Sequence, residues 1–300
     1  MSETSVEGVA RIAVRKTYKL YIGGGFPRSE SGRSYAVSTP AGEFLANAAQ
    51  ASRKDARDAV TAARSAFGGW SAATAYNRGQ ILYRVAELLE GRREQFVAEV
   101  GQGEGISRRQ AARLVGASID RWVWYAGWAD KIAQVLGGAN PVAGPYFDFS
   151  IPEPTGVVAV IAPQSSSLLG LVSVLAPVMV TGCTAVVVAS ESRPLPAATL
   201  AEVLATSDVP AGVVNVLTGR TMELAPVLAA HMDVNAIDLV GAPADGVAEL
   251  QRAAASNVKR TYGHAAGDRG DAASAWSGDP GLERIRAVVE IKTVWHPMGL

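Results

Sequence analysis

Gly156-Val157-Val158-Ala159-Val160-Ile161 and Cys183-Thr184-Ala185-Val186-Val187-Val188 are two compact β-branched runs inside a stretch, residues 154–190, that carries no charged side chain. An uncharged stretch of that length raises the question of a membrane span. Pro163, Ser165, Ser166, Ser167, Pro177 and the Thr181-Gly182 pair break it into a strand, a helical segment over 168–180 and a second strand. Parallel strands covered on both faces read as continuous hydrophobics, so the stretch is read as a buried β-α-β unit, not as a membrane anchor.

The pattern repeats downstream. A helix over 196–207 is followed by the turn Val209-Pro210-Ala211-Gly212 and a strand over 213–217. A helix over 224–231, a strand over 236–240 and a helix over 246–257 come next. Strands alternating with helices at this spacing predict a parallel α/β sheet. Upstream, residues 18–22 alternate as a strand does, and Ser52 with Asp55 forms a capping-box pattern. Ala56, Ala59, Val60, Ala63 and Phe67 then follow at helical spacing. Ile81, Leu82, Val85, Leu88 and Leu89 mark a second helix over 77–92, and Trp122, Trp124, Tyr125 and Trp128 a third helical stretch whose aromatics are read as core. Pro141, Pro145, Pro152 and Pro154 bracket residues 146–151, an aromatic segment expected to form an exposed arm that stays inside a sheet only briefly.

Composition narrows the partners. Basic and acidic residues, 28 of each, cancel in a 300-residue chain that is 48% hydrophobic. No electrostatic pull toward nucleic acid or an anionic membrane results. The single cysteine excludes an internal disulfide and fits a reducing, cytoplasmic setting. Residues 1–16 mix charges with short apolar stretches and do not read as a secretory signal. Cys183, His231 and His296 have no metal-ligand spacing, so no metal is expected.

Val213-Val214-Asn215-Val216-Leu217-Thr218-Gly219, Pro154-Thr155-Gly156-Val157-Val158 and the Gly241…Gly246 spacing resemble the coenzyme domain of NAD(P)-dependent aldehyde dehydrogenases. The run from Ala51 through Asp55 and Asp58 to Trp70 is similar to the same family, and Ile291-Lys292-Thr293-Val294 resembles its closing strand. The resemblance implies a Rossmann-like parallel sheet flanked by helices, with a small β oligomerisation arm. Residues 1–137 and 152–262 are expected to form the coenzyme-binding-like domain, and 138–151 with 282–300 the arm. Residues 263–281, rich in Gly, Asp, Ala and Ser, are expected to be a mobile linker standing where the family keeps its catalytic domain. Trp276 is its one large apolar side chain.

The same resemblance exposes departures at the working positions. Pro163-Gln164-Ser165 stands where the family has Pro-Trp-Asn, so Ser165 occupies the position of the oxyanion-stabilising Asn. Losing such a donor costs about two to three orders of magnitude in rate. Val188-Ala189-Ser190-Glu191 stands where a Lys-Pro-Ser-Glu segment grips the adenine ribose, which keeps the carboxylate and drops the lysine. Ala242 follows Gly241 where the family places a serine. Glu191, Gly241 and Gly246 are the vestigial coenzyme contacts, and the cofactor expectation is none or weak NAD(P). Thr261-Tyr262-Gly263-His264 holds no carboxylate for the general base, and Cys183 lies upstream of the segment that should supply the nucleophile.

These features favour a catalytically silent subunit that joins an active, full-length aldehyde dehydrogenase paralogue through its arm. Tyr146, Phe147, Phe149, Val289, Ile291, Thr293 and Trp295 are the expected interface residues, with residues 289–295 pairing with 146–151. A homo-oligomer stays open. So do two other readings: a divergent but active NAD(P)-dependent aldehyde dehydrogenase, and a nucleotide-binding module without a partner enzyme.

Overall fold

A computed structural model describes residues 16–263 and 273–299. The chain opens with β1 (Thr17–Tyr18) and a hairpin of β2 (Ser34–Ser38) and β3 (Phe44–Ala49). Five helices follow: α1 (Arg53–Ala72), α2 (Ala75–Gly91), α3 (Arg93–Glu104), α4 (Arg108–Ala126) and α5 (Ile132–Leu136). Next come β4 (Gly138–Asn140), β5 (Tyr146–Pro154), β6 (Val157–Ile161), α6 (Leu169–Val180) and β7 (Thr184–Val188). The alternation continues through α7 (Leu195–Leu204), β8 (Val214–Leu217), α8 (Thr221–Ala230), β9 (Ala236–Asp238), α9 (Val247–Ala255) and β10 (Arg260–Tyr262). A 3-10 turn (Ala273–Trp276), α10 (Glu283–Ala287) and β11 (Val289–Pro297) close the described chain.

The uncharged stretch forms the β-α-β unit that its breaks predict. β6 and β7 are fully buried neighbours in a five-stranded parallel sheet of order β10-β9-β6-β7-β8. Both faces are covered, so successive residues enter different cores. Val158, Val160, Ala185 and Val187 pack with residues of α2, α4 and α6, whereas Val157, Ala159, Ile161, Val186 and Val188 pack with α1, α8 and α9. Among the described residues no helix is long and apolar enough to cross a membrane.

The capping box at α1 is formed: Ser52 Oγ accepts from the Lys54 and Asp55 N–H groups, and Asp55 accepts from Ser52 N at 2.7 Å. Of the aromatic stripe, Trp122 and Tyr125 are fully buried, whereas Trp124 and Trp128 are half-buried against the same core. Three expectations need correction. The strand over 18–22 reduces to β1 and an isolated bridge between Tyr21 and Val216. The β2–β3 hairpin and α3 were not foreseen. And β5, proline-bracketed, is the middle strand of a three-stranded sheet of order β11-β5-β4. Pro152 and Pro154 are tolerated there for a geometric reason. They stand opposite Ile291 and Val289, positions that exchange no main-chain bonds with β11, and β4 ends before reaching them.

Residues 264–272 of the expected linker lie outside the described residues. Its later part is docked through Trp276, the residue that the sequence sets apart from a linker otherwise expected to be mobile. Trp276 is buried, and Arg121 donates from Nη2 to the carbonyls of Trp276 at 2.7 Å and Gly278 at 2.9 Å. The Arg284 guanidinium lies 5.0 Å from the Trp276 ring and pairs with the carboxylate of fully buried Asp238, the last residue of β9.

Arg284→Ala removes the cation paired with that buried carboxylate, which costs about 3–5 kcal/mol. The expected result is a large fall in the urea midpoint. The double variant Asp238→Ala/Arg284→Met, which removes both charges, recovers most of it; equal losses in the two variants contradict the clasp.

Candidate functional site

The strand order reverses between β6 and β9. The chain steps outward from β6 to β7 and β8, then returns to the other side of β6 for β9 and β10. In open parallel sheets a ligand crevice forms at the carboxyl ends of the strands beside such a reversal. A cleft of about 720 Å³ lies there, bounded by Gln164 after β6, Glu191 after β7, Arg220–Glu223 after β8 and Val240–Pro243 after β9.

Two of the glycines predicted from the sequence line or border this cleft, and each has a packing reason. At Gly241 a Cβ would come within 1.9 Å of the Ala162 carbonyl oxygen and 2.8 Å of that of Ile161. The chain leaving β9 comes this close to the end of β6 only because nothing projects there, and Gly241 N donates to Ile161 O at 3.0 Å. Gly246 caps α9, donates its N–H to Pro243 O at 2.9 Å, and has the Met222 methyl 2.8 Å from where its Cβ would be.

Glu191 reaches the cleft, but its carboxylate is committed. One oxygen accepts from Arg220 Nη1 at 2.6 Å and the other from the Thr221 N–H at 3.0 Å, in the first turn of α8. Its own N–H donates to Gln164 Oε1 at 2.9 Å, and Gln164 Nε2 donates to Ala162 O at 2.8 Å. Ser190 Oγ in turn donates to Gln164 O at 3.0 Å. The loop holding Ser165 is pinned on both sides. Ser165 O accepts from Arg193 Nη1, while Ser167 gives both its N–H and its hydroxyl to Glu104 Oε1 at 2.8 and 2.7 Å.

Cys183 sits elsewhere. It is fully buried at the amino end of β7, and its thiol donates to Val288 O at 3.2 Å. The length of β7 separates it from the cleft, roughly 15 Å at the usual rise per residue. Burial pushes its thiol up, away from the thiolate form that a nucleophile needs. His264 lies outside the described residues, and among those described no cluster of three His, Cys, Asp or Glu could hold a metal.

The arm residues come together. β11 and β5 pair antiparallel along their whole length, from Val289 opposite Pro154 to Pro297 opposite Tyr146. Tyr146 and Trp295 meet edge-on at 5.7 Å, and Phe147 and Phe149 lie 5.4 Å apart. Ile291 and Trp295 are 52% and 59% exposed, whereas Val289 is buried at the root of the arm. Thr293 shares a hydrogen bond with Ser150 at 3.1 Å. Sequence reasoning missed Arg220, Thr221, Arg121 and the Asp238–Arg284 pair. The signal for the last was present: a lone aspartate inside an otherwise apolar strand requires a buried partner.

The sequence model of the aldehyde dehydrogenase family matches residues 26–268. A putative aldehyde dehydrogenase, DhaS, of Bacillus subtilis is 33% identical over 267 residues, covering 87% of this chain and 53% of that protein. Retinal dehydrogenase 2 of Gallus gallus is 34% identical over 250 residues, with 82% and 48% covered. An NAD+ complex of an aldehyde dehydrogenase from Bacillus cereus superposes with a TM-score of 0.77 at 28% identity, covering 82% of this chain and 50% of that one. An NAD-dependent aldehyde dehydrogenase from Sinorhizobium meliloti gives the same score and identity, with 82% and 49% covered. The chain spans about half the length of these relatives.

A dinucleotide is therefore the ligand to test against the cleft. The residues do not fit one held tightly. The carboxylate that would take ribose hydroxyls is shared with Arg220 and the Thr221 N–H, Val188 is buried in β7, and the Met222 methyl packs against the start of α9, where phosphates would bind.

Burial of Cys183 makes a direct prediction. The folded protein should resist iodoacetamide at neutral pH and react only as it unfolds in urea; rapid labelling with the native circular dichroism spectrum intact contradicts the placement.

Proposed function

The chain belongs to the aldehyde dehydrogenase family, and from that membership we propose that it is a catalytically silent subunit that assembles with, and supports, an active full-length aldehyde dehydrogenase. The observation that carries the proposal is the position of Cys183. The one cysteine of the chain is buried behind the sheet, not in the cleft where a thiolate could meet an aldehyde. The commitment of Glu191 and the serine at position 165 support the same reading, since neither coenzyme grip nor oxyanion donor is offered in the family's form.

The arm supports the assembly half of the proposal. A three-stranded sheet with exposed Phe147, Ile151, Ile291 and Trp295 presents both a strand edge and apolar anchors. Main-chain bonds along an edge supply affinity, and alternating side chains set the register. A cytoplasmic setting belongs to the proposal as well, resting on the solitary reduced cysteine.

The test is an assay of the purified chain with NAD, NADP and a panel of aldehydes, alone and mixed with a full-length family member. No turnover alone, no thermal protection by NAD, and co-elution with the full-length enzyme are expected. Ile291→Asp places a charge on the anchor and should abolish co-elution while leaving the circular dichroism spectrum unchanged. Turnover by the chain alone that Cys183→Ala abolishes returns the protein to the alternative reading, an active NAD(P)-dependent aldehyde dehydrogenase.

A further inference from the structure

The main chain of β11 divides into two sets of groups. Thr155 N donates to Val288 O at 3.1 Å and Met298 N to Pro145 O at 2.9 Å, both in line with the β11–β5 register. Bonded and non-bonded pairs alternate along an antiparallel ladder. Glu290, Lys292, Val294 and His296 therefore exchange bonds with β5, and Ile291, Thr293 and Trp295 aim their N–H and C=O groups at the opposite side. That side is the free edge of the sheet, with no described strand beyond it. The edge is bounded at both ends: Val289 O accepts from Arg260 Nη1, and Pro297 has no N–H.

We propose that this edge pairs with the same edge of a second copy of the chain, antiparallel about a two-fold axis through Thr293. In this register Thr293 meets Thr293 of the second copy, and Ile291 meets Trp295. All three outward residues form bonded pairs, and neither the capped Val289 carbonyl nor Pro297 is required.

Side chains select this register over its neighbours. Cross-strand pairs of opposite charge stabilise and like charges directly opposite destabilise. With the axis at Thr293, Glu290 lies opposite His296 and Lys292 opposite Val294. Moving the axis to Lys292 sets two lysines face to face. Moving it to Val294 sets Lys292 against His296. Moving it to Ile291 strands the Trp295 groups and calls on the Val289 carbonyl, which Arg260 already occupies. On the other face, the axis at Thr293 lays each Ile291 side chain, 52% exposed in the single chain, beside a Trp295 that is 59% exposed.

The pairing does not depend on a partner enzyme, although a full-length relative docking on this edge would compete with it. A strand edge left open is covered by association unless something blunts it, and a second copy is the occupant whose hydrogen-bonding pattern matches it in a register that sets no like charges face to face.

The experiment is sizing of the chain alone together with variants at the axis. The parent should elute as a dimer. Thr293→Pro removes the outward N–H, as an edge position allows, together with the hydroxyl that meets Ser150, and should elute as a monomer while the amides of Lys292 and Val294 keep their exchange protection. Thr293→Val, which loses the hydroxyl and keeps the N–H, should remain dimeric. Thr293→Cys should oxidise to a disulfide-linked dimer. Ile291→Cys should not, because its copies lie roughly 13 Å apart along the strands, beyond the ~7 Å that a disulfide spans. A monomeric parent, a dimeric Thr293→Pro variant, or cross-linking of Ile291→Cys as strong as that of Thr293→Cys overturns the proposal. A chain that is monomeric alone yet co-elutes with a full-length relative sinks this pairing and leaves the proposed function standing. A Thr293-linked dimer that ignores the full-length enzyme does the reverse.

Discussion

The buried pair between Asp238 and Arg284 is the constraint through which the two halves of the molecule meet. Asp238 ends β9 in the middle of the parallel sheet, with Val240 N donating to Oδ1 at 3.1 Å. Arg284 comes from α10, after the segment that separates the Rossmann-like body from the arm. A fully buried carboxylate needs a cation, and the cation arrives from only one direction. Holding Arg284 fixes α10, and Val288 at its end receives the Cys183 thiol and the Thr155 N–H. β11 then runs along β5, paired with it from Val289 to Pro297.

The same economy explains the cleft. Gly241 is required because two strands approach too closely for a side chain, and Glu191 is held by the start of α8. Both residues stand where a coenzyme-binding reading places them, and both have structural partners of their own. A position can therefore match a family motif while the group it carries already serves the fold. In this chain the match at Gly241 and Gly246 reports the backbone path of the fold, and the departures at Ser165, Val188 and Ala242 report its chemistry.

How much was legible follows from which physics each element uses. β6, β7 and α6 were readable because burial on both faces leaves an unbroken apolar signature, bounded by Pro163 and the Thr181-Gly182 pair. The capping box at Ser52 was readable because it is local. The β2–β3 hairpin escaped because Ser34–Ser38 and Phe44–Ala49 alternate weakly and are held by pairing with each other, not by a buried face on both sides. Helix α3 escaped for a related reason: its apolar side is narrow, and it buries Phe96, Val97 and Val100 in the core where α3 packs on α4 and α7. At the site, Cys183 is buried at the amino end of β7, in keeping with its place in the sequence upstream of the segment that should supply the nucleophile. The commitments of Glu191 were not legible, because Arg220 and Thr221 lie about thirty residues away in sequence and meet it only when β7 and β8 pair.

Prolines show how differently the two sides of the arm are treated. Pro152 and Pro154 lie within the central strand at positions where a missing N–H costs no bond to β11. On the opposite, open side of β11, natural edge strands are usually blunted by proline, by a bulge or by a guarding lysine. Here Ile291, Thr293 and Trp295 carry none of these. The register to β5 is unbroken, Pro297 falls only at the tip, and the Lys292 ammonium is drawn to Glu153 of its own sheet at 3.1 Å. An edge of this kind, flanked by exposed Ile291 and Trp295, is a template open to pairing with another strand.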